Sequence, residues 1–130
     1  MKRHASAVWE GNLQEGKGRL TTQSGALNDK RYDFRTRFED EDGTAGTNPE
    51  ELVAAAHASC FTMALSFKLA EAGFSDGRVT TSAEVTLEKE DGGFRVTSSA
   101  LSTKGKVEGM DQGKFEELAA DAKENCPISK

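Results

Sequence analysis

The sequence predicts an α+β domain: short strands first, then a long apolar helix, a two-stranded hairpin and a second helix. Three observations predict it. Residues 5–38 hold three short runs of alternating polarity between glycine-containing turns. Residues 52–67 form one apolar stretch behind a helix-start signal, and residues 78–126 pair two alternating runs across Asp91-Gly92-Gly93 before an amphipathic segment. No linker, repeat or low-complexity run divides the 130 residues, so the chain reads as one domain over 1–130. A domain of that size buries roughly two-thirds of the surface its unfolded chain exposes.

The elements follow in order. Ala5–Glu10 alternates and stops at Gly11; Gly18–Gln23 follows the loop Glu15-Gly16-Lys17. In Arg31–Phe38, Tyr32, Phe34, Thr36 and Phe38 alternate with Arg31, Asp33, Arg35 and Arg37, the pattern of a half-buried strand with Arg37 on its outer face. The acidic run Glu39-Asp40-Glu41-Asp42-Gly43 lacks the ligand spacing of a calcium loop and reads as a solvated loop. Thr47-Asn48-Pro49-Glu50-Glu51 is the strongest local signal. Asn48 suits the N-cap, Pro49 the first helical position, and Glu51 the closing position of a capping box. The helix is expected from Pro49 to Ala72, with Gly73 as its stop. Its first two-thirds is apolar or small on every side, which predicts burial all round. Arg78–Lys89 and Phe94–Lys104 form the hairpin, and Gly105–Met110 a loop. Asp111 caps the last helix, whose Phe115, Leu118, Ala119 and Ala122 share one face; four residues on, Cys126 joins that face before Pro127 ends the helix.

Composition narrows the function. The net charge is -5 and the basic residues are scattered, which argues against nucleic acid or an anionic membrane as partner. The uncharged stretch Leu52–Phe67 is shorter than the ~20 residues a bilayer span needs, and includes His57, Ser59, Thr62 and Ser66. The N-terminus has no secretory pattern, and two cysteines without an export signal point to the cytoplasm. A polar chain with one very apolar helix also favours a second subunit covering that helix.

The two cysteines are the best candidates for chemistry. One reading is that both merely pack, since free cysteine behaves as a small buried hydrophobe. The other is thiol chemistry. Burial alone raises a thiol's pKa, so a reactive Cys60 needs a cation, which Arg37 can supply and Glu50 can orient through a bidentate pair. Glu50 and Cys60 are about 15 Å apart along one helix, so the arginine must reach between them or the glutamate must come from elsewhere. Cys126, inward-facing at a helix end, is placed to resolve an oxidised Cys60. A Cys60–His57 dyad is the second candidate, and a zinc site from His57, Cys60 and Cys126, short of a ligand, the third.

Several segments together resemble one family. These are Trp9-Glu10-Gly11, Gly16-Lys17-Gly18, Arg37-Phe38, Gly46-Thr47-Asn48-Pro49-Glu50-Glu51-Leu52, Ala55-Ala56-His57-Ala58-Ser59-Cys60-Phe61, Glu71-Ala72-Gly73-Phe74 and Asn125-Cys126-Pro127-Ile128-Ser129. The chain resembles the family of osmotically inducible protein C (OsmC) and the organic hydroperoxide resistance protein (Ohr), closest to the OsmC branch. The resemblance implies antiparallel sheets around a long buried central helix, in an intertwined homodimer whose two active sites lie at the subunit interface. It implies a thiol-dependent peroxidase that reduces hydroperoxides, organic ones preferentially. Cys60 matches the peroxidatic cysteine, Cys126 the resolving one, Arg37 the arginine that stabilises the thiolate and Glu50 its carboxylate partner. Arg19 is the lesser rival for the arginine. The implied reductant is an external dithiol, lipoyl groups being the case for the Ohr branch, and no metal or flavin is implied. On this reading Leu52, Phe61 and Met63 favour alkyl or aryl peroxides over H2O2. Relatives add one more strand beyond the Cys-Pro, which a chain ending at Lys130 is expected to lack, leaving a sheet edge unpaired. The competing class is a non-catalytic, stress-induced dimeric structural or binding protein with packed cysteines.

Overall fold

The computed structural model describes residues 1–74 and 77–129. It is α+β as expected, with the order β1 (Ala5–Glu10), β2 (Lys17–Thr22), β3 (Lys30–Tyr32), α1 (Phe34–Phe38), α2 (Pro49–Glu71), β4 (Gly77–Glu90), β5 (Gly93–Val107) and α3 (Gln112–Asn125). The chain forms two compact units, Met1–Leu52 and Val53–Lys130.

In the first unit β1, β2 and β3 make an antiparallel meander in that order. Gly18 allows it to close: a Cβ there would lie 2.7 Å from the Tyr32 ring and 2.8 Å from the Trp9 ring, so the Trp9–Tyr32 pair needs glycine beneath it. The expected strand Arg31–Phe38 is corrected here. It ends at Tyr32, and Phe34–Phe38 is the short helix α1. Asp33 is its N-cap, accepting from the Thr36 N–H at 2.9 Å, while the Asp33 N–H donates to Thr36 Oγ1 at 2.9 Å, a reciprocal capping box. Phe34 and Phe38, one turn apart, pack their rings with centroids 5.0 Å apart. Asn48 then ties α1 to the start of α2, its Nδ2 donating to the Thr36 carbonyl at 3.2 Å and its Oδ1 accepting from the Glu51 N–H at 2.8 Å. The Glu51 carboxylate accepts from the Thr47 hydroxyl at 2.9 Å.

The second unit is built on α2 and α3. The α2 helix ends as expected at Gly73 (φ 92°): the Phe74 N–H reaches back to the Leu69 carbonyl at 2.9 Å and Phe74 packs against the core, a Schellman stop. Phe61, Leu65 and Leu69 of α2 meet Phe115, Leu118 and Ala122 of α3 and Cys126 just beyond it, and this is the core. The expectation that α2 is buried all round is not met in the single chain. One stripe is buried (His57, Phe61, Leu65, Leu69), while Val53, Met63 and Phe67 are exposed, because one further helix and a two-stranded hairpin can cover only one side of it.

The hairpin β4–β5 is longer than its alternation suggests. It runs to Val107 and takes in Gly105, placed in sequence in a loop. Gly105 belongs in the strand because Phe115 lies directly over it: an added Cβ would sit 2.6 Å from Phe115 Cζ. Gly105→Ala is therefore expected to push Phe115 out of its place and destabilise the protein by about 1–3 kcal/mol, read as a lowered denaturation midpoint. An unchanged midpoint would mean that Phe115 repacks freely. A register shift between Thr86 and Leu87 adds one residue to β5, so that Ser99 rather than Ser98 stands opposite Val85.

Candidate active site

The inward stripe of α3 ends at Cys126. Its N–H still donates to the Ala122 carbonyl at 2.8 Å, but its backbone is extended (ψ 123°), as a residue before proline prefers, so the helix stops there. The side chain is fully buried in the core. Its sulfur meets that of Cys60, on α2, at 2.9 Å in a sulfur–sulfur hydrogen bond; both cysteines are free thiols and Cys60 remains partly exposed. The turn after Pro127 folds back, with the Ser129 N–H donating to the Cys126 carbonyl at 3.0 Å. From this turn the Ile128 and Ser129 amides and the Ser129 hydroxyl act on the Cys126 thiol.

These contacts divide the two thiols. The hydrogen bond with Cys126, then burial, pushes the Cys60 thiol above its ordinary range, against an opposing contribution from the Ile128 N–H. Burial also pushes Cys126 upward, but hydrogen bonds from Cys60, the Ser129 hydroxyl and the Ser129 and Ile128 amides outweigh it and leave Cys126 below its ordinary range. The contact between the two sulfurs thus acts in opposite directions, raising the Cys60 thiol and helping to lower Cys126.

His57 does not form the Cys60 dyad that its i, i+3 spacing suggests. It is buried, and both ring nitrogens are engaged by serines: Nδ1 with Ser99 Oγ at 2.6 Å and Nε2 with Ser129 Oγ at 2.7 Å. The same occupancy removes the imidazole from a zinc site with Cys60 and Cys126. Ser99 and Ser129 are the polar residues that reading the sequence missed as site residues. Ser129, three residues beyond Cys126, could have been found from the turn that Cys-Pro starts. Ser99 carries no local signal, since its place depends on the register of β5.

Arg37 and Glu50 are brought together in the first unit. Arg37 Nη2 and Nε both donate to Glu50 Oε1, at 2.7 and 3.2 Å, and Nε also reaches Oε2 at 3.3 Å. The Asp33 cap sets the turn that carries Arg37, and the guanidinium lies 5.2 Å from the centroid of the Phe38 ring. Glu50 is mostly covered and sits in the first turn of α2, where the helix dipole favours a carboxylate. The rival Arg19 is instead paired with Asp29 at 3.1 Å. Of the expected apolar lining, Phe61 belongs to the core and Met63 is exposed.

The sequence model of a family described as OsmC-like protein matches residues 40–130. Peroxiredoxin OsmC of Escherichia coli is 50% identical over 123 residues, covering 95% of this chain and 84% of that protein. Organic hydroperoxide resistance protein OhrB of Bacillus subtilis is 32% identical over 115 residues, covering 87% of this chain and 79% of its own. The crystal structure of that OhrB superposes with a TM-score of 0.66 at 30% identity, covering 97% of this chain and 87% of the other. An OsmC-like protein of unknown function from Vibrio cholerae shares the fold with a TM-score of 0.77 at 20% identity, over 99% of this chain and 92% of that one.

Proposed function

The chain belongs to the OsmC-like protein family, and on that basis we propose that it is a thiol-dependent peroxidase that reduces hydroperoxides, organic ones in preference to H2O2. The observation that carries the reading is the direct approach of two free thiols, one partly exposed and one buried, at 2.9 Å. Cys60, as thiolate, attacks the oxygen distal to the organic group. The O–O bond breaks, the sulfur takes the hydroxyl as a sulfenic acid, and the alkoxide leaves with a proton from solvent as the alcohol. Cys126 then attacks the Cys60 sulfur; the S–O bond breaks, an S–S bond forms and water leaves. An external dithiol reduces the disulfide back to two thiols and is itself oxidised. A lipoyl-type dithiol has the right chemistry.

Cys60 has its proton held in place by Cys126, so it needs a cation to ionise first. That is the role we assign to Arg37, with Glu50 holding its guanidinium in one orientation. We also infer that the working form is a homodimer in which a second copy covers the exposed side of α2; Met63, 78% exposed, and Phe67, 66% exposed, support this.

The test is consumption of cumene hydroperoxide in the presence of excess dithiol. The wild type is expected to consume it faster than H2O2, and absence of consumption would contradict the peroxidase reading. Arg37→Lys keeps the charge but loses the planar fork that Glu50 grips, and is expected to be roughly tenfold slower. If it keeps pace with the wild type, the arginine has another role.

A further inference from the structure

We propose that His57 is a positioning residue for the resolving step, acting through Ser129 to hold Cys126 as the attacking thiolate. The inference rests on the peroxidase reading and adds a part to the same site.

A line of hydrogen bonds runs from β5 across α2 to the turn after α3, Ser99 to His57 to Ser129, and the Ser129 N–H closes that turn on the Cys126 carbonyl at 3.0 Å, where the Ser129 hydroxyl lowers the Cys126 thiol. Its direction follows from the donor count. A thiolate at Cys126 can only accept, so the Ser129 hydroxyl gives it its one proton. Ser129 then has only acceptor capacity left for His57, so Nε2 carries hydrogen and donates to Ser129 Oγ across 2.7 Å. In a neutral imidazole Nδ1 is then an acceptor, and the Ser99 hydroxyl donates to it across 2.6 Å. Every donor has one place to go. The imidazole is buried and each ring nitrogen is engaged, so the arrangement is built rather than incidental.

The consequence concerns the second half of the reaction. Cys60 as sulfenic acid has lost the thiol that lowers Cys126 in the reduced pair, and its hydroxyl is the group that must leave. What remains is Ser129, with the Ile128 and Ser129 amides. Cys126 gives up its proton, its sulfur bonds to that of Cys60, and the hydroxyl of Cys60 departs with that proton as water. Among the described residues, the titratable groups facing Cys126 are Cys60 and, through Ser129, His57, both from α2; β5 contributes the uncharged Ser99. Asp121 of α3 is occupied by Lys68 at 3.3 Å and by Asn125.

Losing one hydrogen bond makes a thiolate harder to form. A more basic thiolate is also a better nucleophile, which offsets about half of that loss, so resolution should slow by roughly 3- to 10-fold.

The experiment is a single turnover with one equivalent of cumene hydroperoxide, quenched at intervals with dimedone and a thiol alkylating reagent. Loss of reduced Cys60 reports the first step, and the Cys60–Cys126 linked peptide reports the second. Ser129→Ala and His57→Leu are expected to prolong the dimedone-reactive state by the factor above, with the slowing falling on the second step. His57→Gln, which keeps an N–H donor near the Nε2 position, is expected to recover most of the rate. Wild-type resolution in Ser129→Ala, equal slowing of both steps, or no recovery in His57→Gln relative to His57→Leu would each overturn the proposal. If His57→Leu does not fold, Ser129→Ala decides alone. If the wild type forms no sulfenic acid at all, the peroxidase reading fails instead. Thiolate absorbance of the reduced protein then tests the line of hydrogen bonds by itself: the first ionisation should move to higher pH in Ser129→Ala, and an unmoved one overturns it.

Discussion

Cys60→Ser is expected to reduce cumene hydroperoxide consumption at least about a thousandfold, to the uncatalysed background, because a serine hydroxyl does not ionise near neutral pH and cannot be oxidised to a sulfenic acid. The substitution also decides between the two sulfurs. Cys126 is the more easily ionised of the pair, which by itself would favour it as the attacking thiolate. But Cys126 is fully buried, whereas Cys60 is partly exposed. Access outweighs ionisation here, since a thiolate that peroxide cannot reach does not react and a neighbouring cation can ionise one that it can. The variant should fold, because the serine is smaller and Cys126 keeps its bonds to the 128–129 turn. Peroxide consumption at the wild-type rate, with Cys126 becoming oxidised, would reverse the assignment of the two roles.

Cys126→Ser is expected to behave differently: one equivalent of peroxide is consumed and the reaction then stalls with Cys60 as a dimedone-reactive sulfenic acid. Steady-state turnover driven by a dithiol should fall by about a hundredfold or more. A thiol held in contact with Cys60 acts at an effective concentration far above any millimolar reductant in solution. Prolonged exposure should carry the stranded sulfenic acid on to sulfinic acid, a loss that the wild type avoids by forming the disulfide. Undiminished cycling in Cys126→Ser would show that the external dithiol reduces Cys60 directly.

Where local chemistry decided the structure, the sequence was readable. Asn48 and Pro49 start α2 and Gly73 stops it where their backbone preferences require, and the stripe Phe115, Leu118, Ala122, Cys126 places the second thiol inward through helical spacing alone. The pairing of Arg37 with Glu50 was legible through chemistry, although the element carrying Arg37 was not. Phe34 and Phe38, four residues apart, fit strand alternation and a helical turn equally well, and only the Asp33–Thr36 capping box separates the two. What stayed hidden depends on distant contacts. Gly105 looks like a loop residue until Phe115 is placed over it. Ser99 reaches His57 only because one extra residue in β5 shifts the register, and no local pattern marks that bulge. The exposed side of α2 follows from how few elements this chain sets against the helix, which composition alone does not reveal.

The central claim is that peroxide converts these two thiols into one disulfide by way of Cys60. Intact-mass and peptide analysis of the reduced wild-type protein after one equivalent of cumene hydroperoxide tests it most directly. The expected result is a protein lighter by two hydrogens, with the peptides of Cys60 and Cys126 joined, one molecule of cumyl alcohol released per chain, and full reversal by dithiol. Unchanged mass with both thiols still free and the peroxide intact would contradict it and leave the cysteines as packing residues.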